Sequence, residues 1–500
     1  MRSPGGRWRG ATGAGPLVAG RAASAAAGIL IPIVLARLLA PAAYGTFKQL
    51  FLVATTGIGL VQLGMYQSLY YFVPRDPGRA RTYLAHATLY LGAAGAAVTA
   101  AVWAGGPLLA RWMHNPALLP CVPPAALYAG LFTAAVPLEH GLIARGRIGR
   151  GGLAYVISES CRVLVQLGAA RIWGTVEAIL WASAAFSAAR AGASWLLNLG
   201  AGAGPGWDGA IWRTQWRYCL PFGGAALLMI PQQSFHQYAV SAFAGPALYA
   251  IYAVGSMQLP IVELLYTPIS DLMILRIGNA EREGREGLAR ESFREAVASL
   301  SWVFLPAAAA LWALAPSAIP LVFTARYAGA VPLFRLSVVS LALASFPVDG
   351  VLRARARTRF FFWAQVAKLG LTVVLVLGGL ELLSLRGAVL GQVTAQALVA
   401  GAMLRESARA LGCTFGELLP WRRLAENGLP AVAAALLAAA SRTHLAAGPL
   451  GQCLAGGAVF TAVWGAGALA AWARRGGFAM FRSRGVAVAA GGATQIRTGE

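Results

Sequence analysis

ARLLAPAAYGTFKQLF, residues 36–51, sets a Pro-Ala-Ala-Tyr-Gly corner between two long apolar stretches. SAFAGPALYAIYAVGS, residues 241–256, writes nearly the same corner 205 residues later, pairing Pro41 with Pro246 and Tyr44 with Tyr249. Proline suits the first turn of a helix because its missing N–H would have no partner there anyway. Each stretch therefore reads as the end of one apolar helix and the start of the next.

What surrounds the corners is apolar too. Of 500 residues, 58% are hydrophobic and 12% charged, and the mean hydropathy is +0.62. A soluble chain of this length needs far more charge to cover its surface. Runs of about 20 apolar residues recur throughout, as membrane-crossing helices require. The fold class expected is an all-α, polytopic membrane protein of about fourteen helices. They fall at 16–38, 45–73, 83–105, 117–141, 153–171, 175–199, 220–244, 248–275, 296–316, 333–351, 360–380, 387–405, 429–446 and 450–473.

Arginine placement tests that count independently. With a cytoplasmic N-terminus, 29 arginines fall on the cytoplasmic side, in groups such as Arg75, Arg79 and Arg81 or Arg353, Arg355, Arg357 and Arg359. Only six (Arg37, Arg111, Arg171, Arg326, Arg386 and Arg442) fall on the other side. That bias recurs at every second loop, as the positive-inside rule demands of an even number of spans. The net charge of +23 thus belongs to one membrane face, where topology and anionic headgroups account for it. Nucleic acid is not an expected partner.

The 205-residue offset aligns more than the corners. The basic loop at Arg75–Arg81 falls on Arg282–Arg285, and the loop at Arg145–Arg150 falls on Arg353–Arg355. An even-numbered repeat keeps its orientation, so the two halves form a parallel repeat, which in transporters puts the substrate path between them. The expected organisation is a basic N-terminus (1–15), a six-helix bundle (16–199), a linker (200–219) and a second bundle (220–405). A loop (406–428), a helix pair (429–473) and a disordered cytoplasmic tail (474–500) complete it.

RLLAPAAYGTF resembles the R-L-L-G-P-x-x-Y-G-x-F corner of the Wzx-type oligosaccharide flippases, within the multidrug/oligosaccharidyl-lipid/polysaccharide exporter superfamily. CLPFGG at 219–224, AGPALYAIYAVGSM at 244–257 and LVFTARYAGAVPLFRL at 321–336 are similar to later segments of that family. Ala40 stands where the family usually has Gly. The resemblance covers about residues 15–405 and implies two six-helix bundles around a cavity that opens alternately to each side. The implied cargo is a polyprenyl-pyrophosphate-linked oligosaccharide, flipped across the cytoplasmic membrane for O-antigen, capsule or exopolysaccharide synthesis. A lipid II flippase and a drug/cation antiporter of the same superfamily are the alternatives. Other partners implied are membrane lipids, a coupling proton or sodium ion and a polysaccharide polymerase, acting with a monomer whose termini are both cytoplasmic.

A cation inside a bilayer costs about 2.5–3.5 kcal/mol on insertion scales, so each needs water, a partner or an interface. Six lie in or near the expected spans: Arg21, Lys48, Arg162, Arg190, Arg335 and Lys368. Lys48 and Arg335 lie near span ends, where long stems can reach the interface. Arg162 has Glu159 three residues earlier as an internal partner, whereas Arg190 and Lys368 have no acid one turn away. Arg21, Arg162, Arg190 and above all Lys368 are the expected cavity cations, suited to the concentrated charge of a pyrophosphate. Lys48, Gln232, Gln233 and His236 are weaker substrate-binding candidates, the last three for sugar contact with polar helix–helix bonding as the competing role. Glu263, near mid-span, is the candidate for ion coupling, with a salt bridge to a cavity cation as its rival role.

EREGREGLARESFRE, residues 281–295, reads as a surface helix with Glu281–Arg285 and Glu286–Arg290 pairs, and Asp349 is placed to pair with Arg353. Five scattered cysteines form no zinc or disulfide pattern, and no Walker A motif occurs. No cofactor or metal is expected. A glycan-assembly enzyme would need a large outer loop, and a transferase an acidic pair there; the outer loops are short and no D-x-D occurs. The chain is therefore read as a transporter rather than an enzyme.

Overall fold

The computed structural model describes residues 14–199, 207–257, 259, 261–443 and 448–474. Among them there is no strand. The α-helices run α1 (Ala14–Leu38), α2 (Pro41–Gln62), α3 (Met65–Phe72), α4 (Ala80–Trp112), α5 (Val122–Ala135), α6 (Pro137–Ala144), α7 (Ile148–Trp173) and α8 (Val176–Leu199). They continue with α9 (Gly209–Phe243), α10 (Pro246–Gly255), α11 (Ile261–Arg282), α12 (Glu286–Phe323), α13 (Ala330–Ser337), α14 (Val339–Leu343) and α15 (Val348–Ala354). The last four are α16 (Thr358–Ala410), α17 (Phe415–Leu418), α18 (Trp421–Thr443) and α19 (Pro449–Arg474).

The expected apolar segments are mostly helical where they are described, with breaks at Leu63 and Gly64, at Ser256 and Met257, and over 344–347. Among the described residues nine helices are long and apolar enough to cross a membrane, or ten with α2 and α3 taken as one span bent by 43°. Two expected segments share the 53-residue α16, which turns back on itself at Ser384 (φ 56°, ψ −138°). A Cβ on Gly387 would sit 1.7 Å from the Gly379 carbonyl oxygen, so the two arms meet backbone to backbone. The helix α9 starts at Gly209, inside the stretch expected as linker, capped by Asp208, whose carboxylate accepts from the Ala210 and Ile211 N–H groups.

Two compact units partition the chain. The first comprises Met1–Pro260, Val322–Ser337 and Phe362–Val399. Both repeated corners lie in it and take the same local form. Each opens a helix with Pro at its start after an extended N-cap, Ala40 (φ −64°, ψ 150°) or Gly245 (φ −63°, ψ 169°). Tyr44 N–H donates to the Ala40 carbonyl at 2.9 Å, and Tyr249 N–H to that of Gly245 at 3.0 Å. Both tyrosines are fully buried. The corners also pack on each other, for a Cβ on Gly45 would lie 1.8 Å from the Pro246 carbonyl oxygen. Only glycine admits that crossing. Beside it, Asn115 donates to Gln49 (2.7 Å) and Thr46 (2.9 Å), and Gln49 donates to Ser241 (2.9 Å). Every member of this network is buried and bonded, as buried polar groups must be.

The second unit comprises Ile261–Leu321, Val338–Phe361 and Ala400–Glu500. Its core pairs α12 with α18 and α19 through small residues, Ala313, Ala434 and Ala438 beside Phe460. Such residues let membrane helices approach closely. The expected surface helix at 281–295 is instead the end of α11 and the start of α12, joined through Gly284 at φ 66°. Among the described residues its acids and arginines pair elsewhere than at the expected i,i+4 spacing. Arg355 takes both Glu281 and Glu286, and Arg290 donates to the carbonyls of Leu411 and Gly412. The Arg353–Asp349 pair does form, at 2.9 Å, and the Tyr266 hydroxyl also donates to Asp349.

Candidate functional site

A cavity of about 370 Å³ opens within the first unit between α1, α2, α9 and α10. Helical periodicity places its lining. On α2, Tyr44, Lys48, Phe51 and Thr55 recur at three- and four-residue steps; on α9, Ile230, Gln233 and Gln237 do the same. Among the described residues, Lys48 is the only charged one in the lining. Among the described residues it forms no ion pair, and its Nζ stands 5.7 Å from the Phe51 ring centroid. Ser234, Thr55 and Ser256 add hydroxyls, while Phe51 and Phe323 add flat apolar faces. This set can hold one anionic group and neighbouring hydroxyl-rich groups.

The structure divides the expected α9 cluster. Gln233 is exposed to the cavity, whereas Gln232 is buried and donates to the Gln365 carbonyl (2.9 Å) and side-chain oxygen (3.3 Å). His236 is buried too, with Nδ1 2.7 Å from the Tyr252 hydroxyl. Neighbouring helical positions differ by about 100°, so consecutive glutamines diverge. Gln232 and His236 join helices, and Gln237, which the sequence reading passed over, takes their place at the cavity. Its signal was present: it lies one turn after Gln233.

Four cations were expected in a shared cavity, and none of them lines this one. Arg162 pairs with Glu159, its Nε at 3.0 Å and Nη2 at 2.5 Å from one carboxylate oxygen. Arg190 pairs with Glu139 on α6 at 2.6 Å, their side chains 11% and 3% exposed. Ser158 also donates to that carboxylate, and the Arg190 guanidinium lies 5.3 Å from the Phe132 ring centroid. Absence of an acid one helical turn from Arg190 said nothing about another helix. Around this pair, His140 packs against Tyr66, Tyr70 and Tyr155 at centroid distances of 4.7, 5.7 and 6.4 Å. Arg21 is exposed and within electrostatic reach of Tyr70. Lys368 is half-buried on α16, one turn from Gln365, and forms no ion pair among the described residues. The Glu263 side chain lies outside the described ones.

A family model described as "Polysaccharide biosynthesis protein" matches residues 34–332. The search of curated proteins found no match. Among solved structures, a lipid II flippase MurJ in an inward closed conformation is similar at 12% identity with a TM-score of 0.67, covering 89% of this chain and 97% of that one. An inward-facing multidrug resistance MATE family transporter of the MOP superfamily is similar at 15% identity with a TM-score of 0.59, covering 79% and 98%. A MOP superfamily transporter from Pyrococcus furiosus, described by the reverse polarity of its binding pocket, is similar at 15% identity with a TM-score of 0.53, covering 79% and 94%. The chain shares their fold, that of multi-pass membrane transporters.

Proposed function

This chain belongs to the polysaccharide biosynthesis protein family, and we propose that it is a flippase for polyprenyl-pyrophosphate-linked oligosaccharide. The observation that carries the reading is the cavity in which Lys48 is the one charged residue among the described lining. A pyrophosphate cannot enter hydrocarbon bare. The Lys48 ammonium replaces part of its hydration with a charge-assisted bond. Gln233, Gln237, Ser234 and Thr55 take the hydroxyls of the adjoining sugar, and Phe51 and Phe323 take its apolar face. At about 370 Å³ the cavity holds the linkage and its nearest sugar, while the polyprenyl tail stays in lipid. Parting of the Gly45–Pro246 contact turns the cavity toward the other membrane face. Glu263 serves as the proton- or sodium-binding carboxylate. The membrane is the cytoplasmic one, with both termini inside, and the flipped unit passes to a polymerase.

Lipid II flipping is the second reading, because that cargo has the same pyrophosphate linkage and the fold is that of the MurJ structure. A cationic-drug antiporter would need an acid where Lys48 stands. The deciding measurement is the lipid-linked glycan pool after depletion in the native host. Accumulation of polyprenyl-pyrophosphate oligosaccharide with loss of surface polymer supports the first reading. Accumulation of lipid II favours the second, and an unchanged pool with new drug sensitivity refutes both.

A further inference from the structure

Away from the Lys48 cavity, a groove of about 480 Å³ runs between α13 and the turn of α16. Arg335 on α13 and Arg386 on α16 both line it. The other described lining residues, Val331, Pro332, Leu336, Leu383 and Leu390, are apolar, with neither an acid nor an amide or hydroxyl side chain among them. Two like charges in one groove repel each other, and an anion seated between them relieves that repulsion. A guanidinium carries five N–H donors, so each arginine can serve an anion while keeping other contacts.

The α16 turn aims this surface. At Ser384 the backbone takes φ 56° and ψ −138°, a region glycine normally occupies. The two arms are held by backbone contact at Gly379–Gly387 and by Gly391 against the Leu375 carbonyl. That brace fixes Leu383 and Arg386 on either side of the turn. Leu382 and Leu383 are 83% and 56% exposed, which gives the groove an apolar flank. Glu381 is exposed close by in sequence but does not line the groove.

We infer that the Arg335–Arg386 groove binds the phosphate headgroup of an anionic lipid, with the two guanidiniums on the phosphate oxygens and the chain along Leu336, Leu383 and Leu390. The lining suits this ligand and not others. A free sugar would find no hydroxyl or amide partners, and a cation would meet two positive charges. Forked guanidinium donors match phosphate oxygens in pairs. A bilayer phospholipid and a polyprenyl phosphate share this chemistry. The inference stands apart from the cargo proposed for the Lys48 cavity.

The test is native mass spectrometry of the purified full chain, delipidated in detergent and titrated separately with phosphatidic acid, undecaprenyl phosphate, phosphatidylcholine and inorganic phosphate. One tightly held phosphatidic acid or undecaprenyl phosphate is expected per chain. Retention should fall at least tenfold in R335Q/R386Q and severalfold in R386Q alone, and stay unchanged in R171Q, a control at another exposed arginine. Preference for phosphatidic acid names a bilayer lipid as occupant, and preference for the polyprenyl phosphate names a carrier lipid; either supports the site. Arg386 is exposed, so R386Q keeps the test decisive if the double variant does not fold. Equal retention in R386Q and the parent overturns the inference. So does phosphatidylcholine or inorganic phosphate binding as tightly as the lipid phosphates.

Discussion

Lys48 and Arg190 show how differently two embedded cations are used. Lys48 has no ionic partner among the described residues and faces the cavity. Removing its charge therefore leaves no orphaned acid, and the loss should appear in transport rather than folding. We expect Lys48→Gln to lower flipping of lipid-linked oligosaccharide at least tenfold in proteoliposomes with little change in Tm, and Lys48→Arg to retain part of the rate. Arg190 is the reverse case. Its pair with Glu139 is buried at 2.6 Å, and breaking a buried pair strands one charge at about 3–5 kcal/mol. Glu139→Gln should thus lower Tm steeply, while Glu139→Leu with Arg190→Leu should recover most of the loss, because a well-packed apolar pair can match an ionic one. Thermal unfolding of the two variants in one detergent separates these outcomes. The sequence displayed Arg162 with its partner, since Glu159 shares its helix face. It could not display Arg190 with Glu139, whose positions differ by 51 residues and meet only through packing. Lys48 ranked only as a weaker candidate for a related reason: nearness to a span end suggested an interface, and the cavity it lines comes from the arrangement of α1, α9 and α10.

At the scale of elements, the repeated corner was the most legible feature of the chain. Pro41 and Pro246 start helices, Tyr44 and Tyr249 are buried in matching ways, and both facts follow from local chemistry at a helix N-terminus. That the corners would touch was not legible, although Gly45 marks the spot in retrospect. Gly45→Ala forces α2 and α10 apart, because its methyl carbon would stand 1.8 Å from a backbone oxygen that no rotamer change can move. Overpacking of this kind costs about 1–3 kcal/mol or more; Gly59→Ala, where the nearest atom is the terminal Cδ1 of Ile230, should cost less in the same melt. The start of α9 offers a pH-dependent case. The N–H groups of Ile211 and then Ala210 hold the Asp208 carboxyl below its ordinary range. A depressed folded value means that the cap stabilises α9 above the unfolded value, near 3.8, and that this is lost as pH falls through the lower folded value. Hydrogen exchange at the Ala210 and Ile211 amides should accelerate below about pH 4. In Asp208→Asn, which caps without titrating, that acceleration should vanish; an unchanged profile there would refute the assignment.

For the whole molecule, periodicity and charge could announce a helical membrane protein but not every break within it. Ser384 looks like an ordinary residue in an apolar run, yet the chain reverses there with φ at 56°; the flanking glycines hinted at the turn without fixing it. The arginine bias makes the strongest statement at this scale, because it assigns each loop a side. The turns at Gly146, Gly284 and Ala356 sit among arginines, and all three have positive φ, as tight helix-to-helix turns require. The turns at Gly174 and Ser384 should lie on the opposite face. Single cysteines placed at these five positions, in a background with the native five cysteines replaced by alanine or serine, make the assignment testable. A membrane-impermeant maleimide added to intact cells or spheroplasts should label positions 174 and 384 and leave 146, 284 and 356 unlabelled until the membrane is opened. Mixed labelling within the basic group would mean that a crossing is missing between those turns. The even repeat would then fail, and with it the argument that the two corners face the same way.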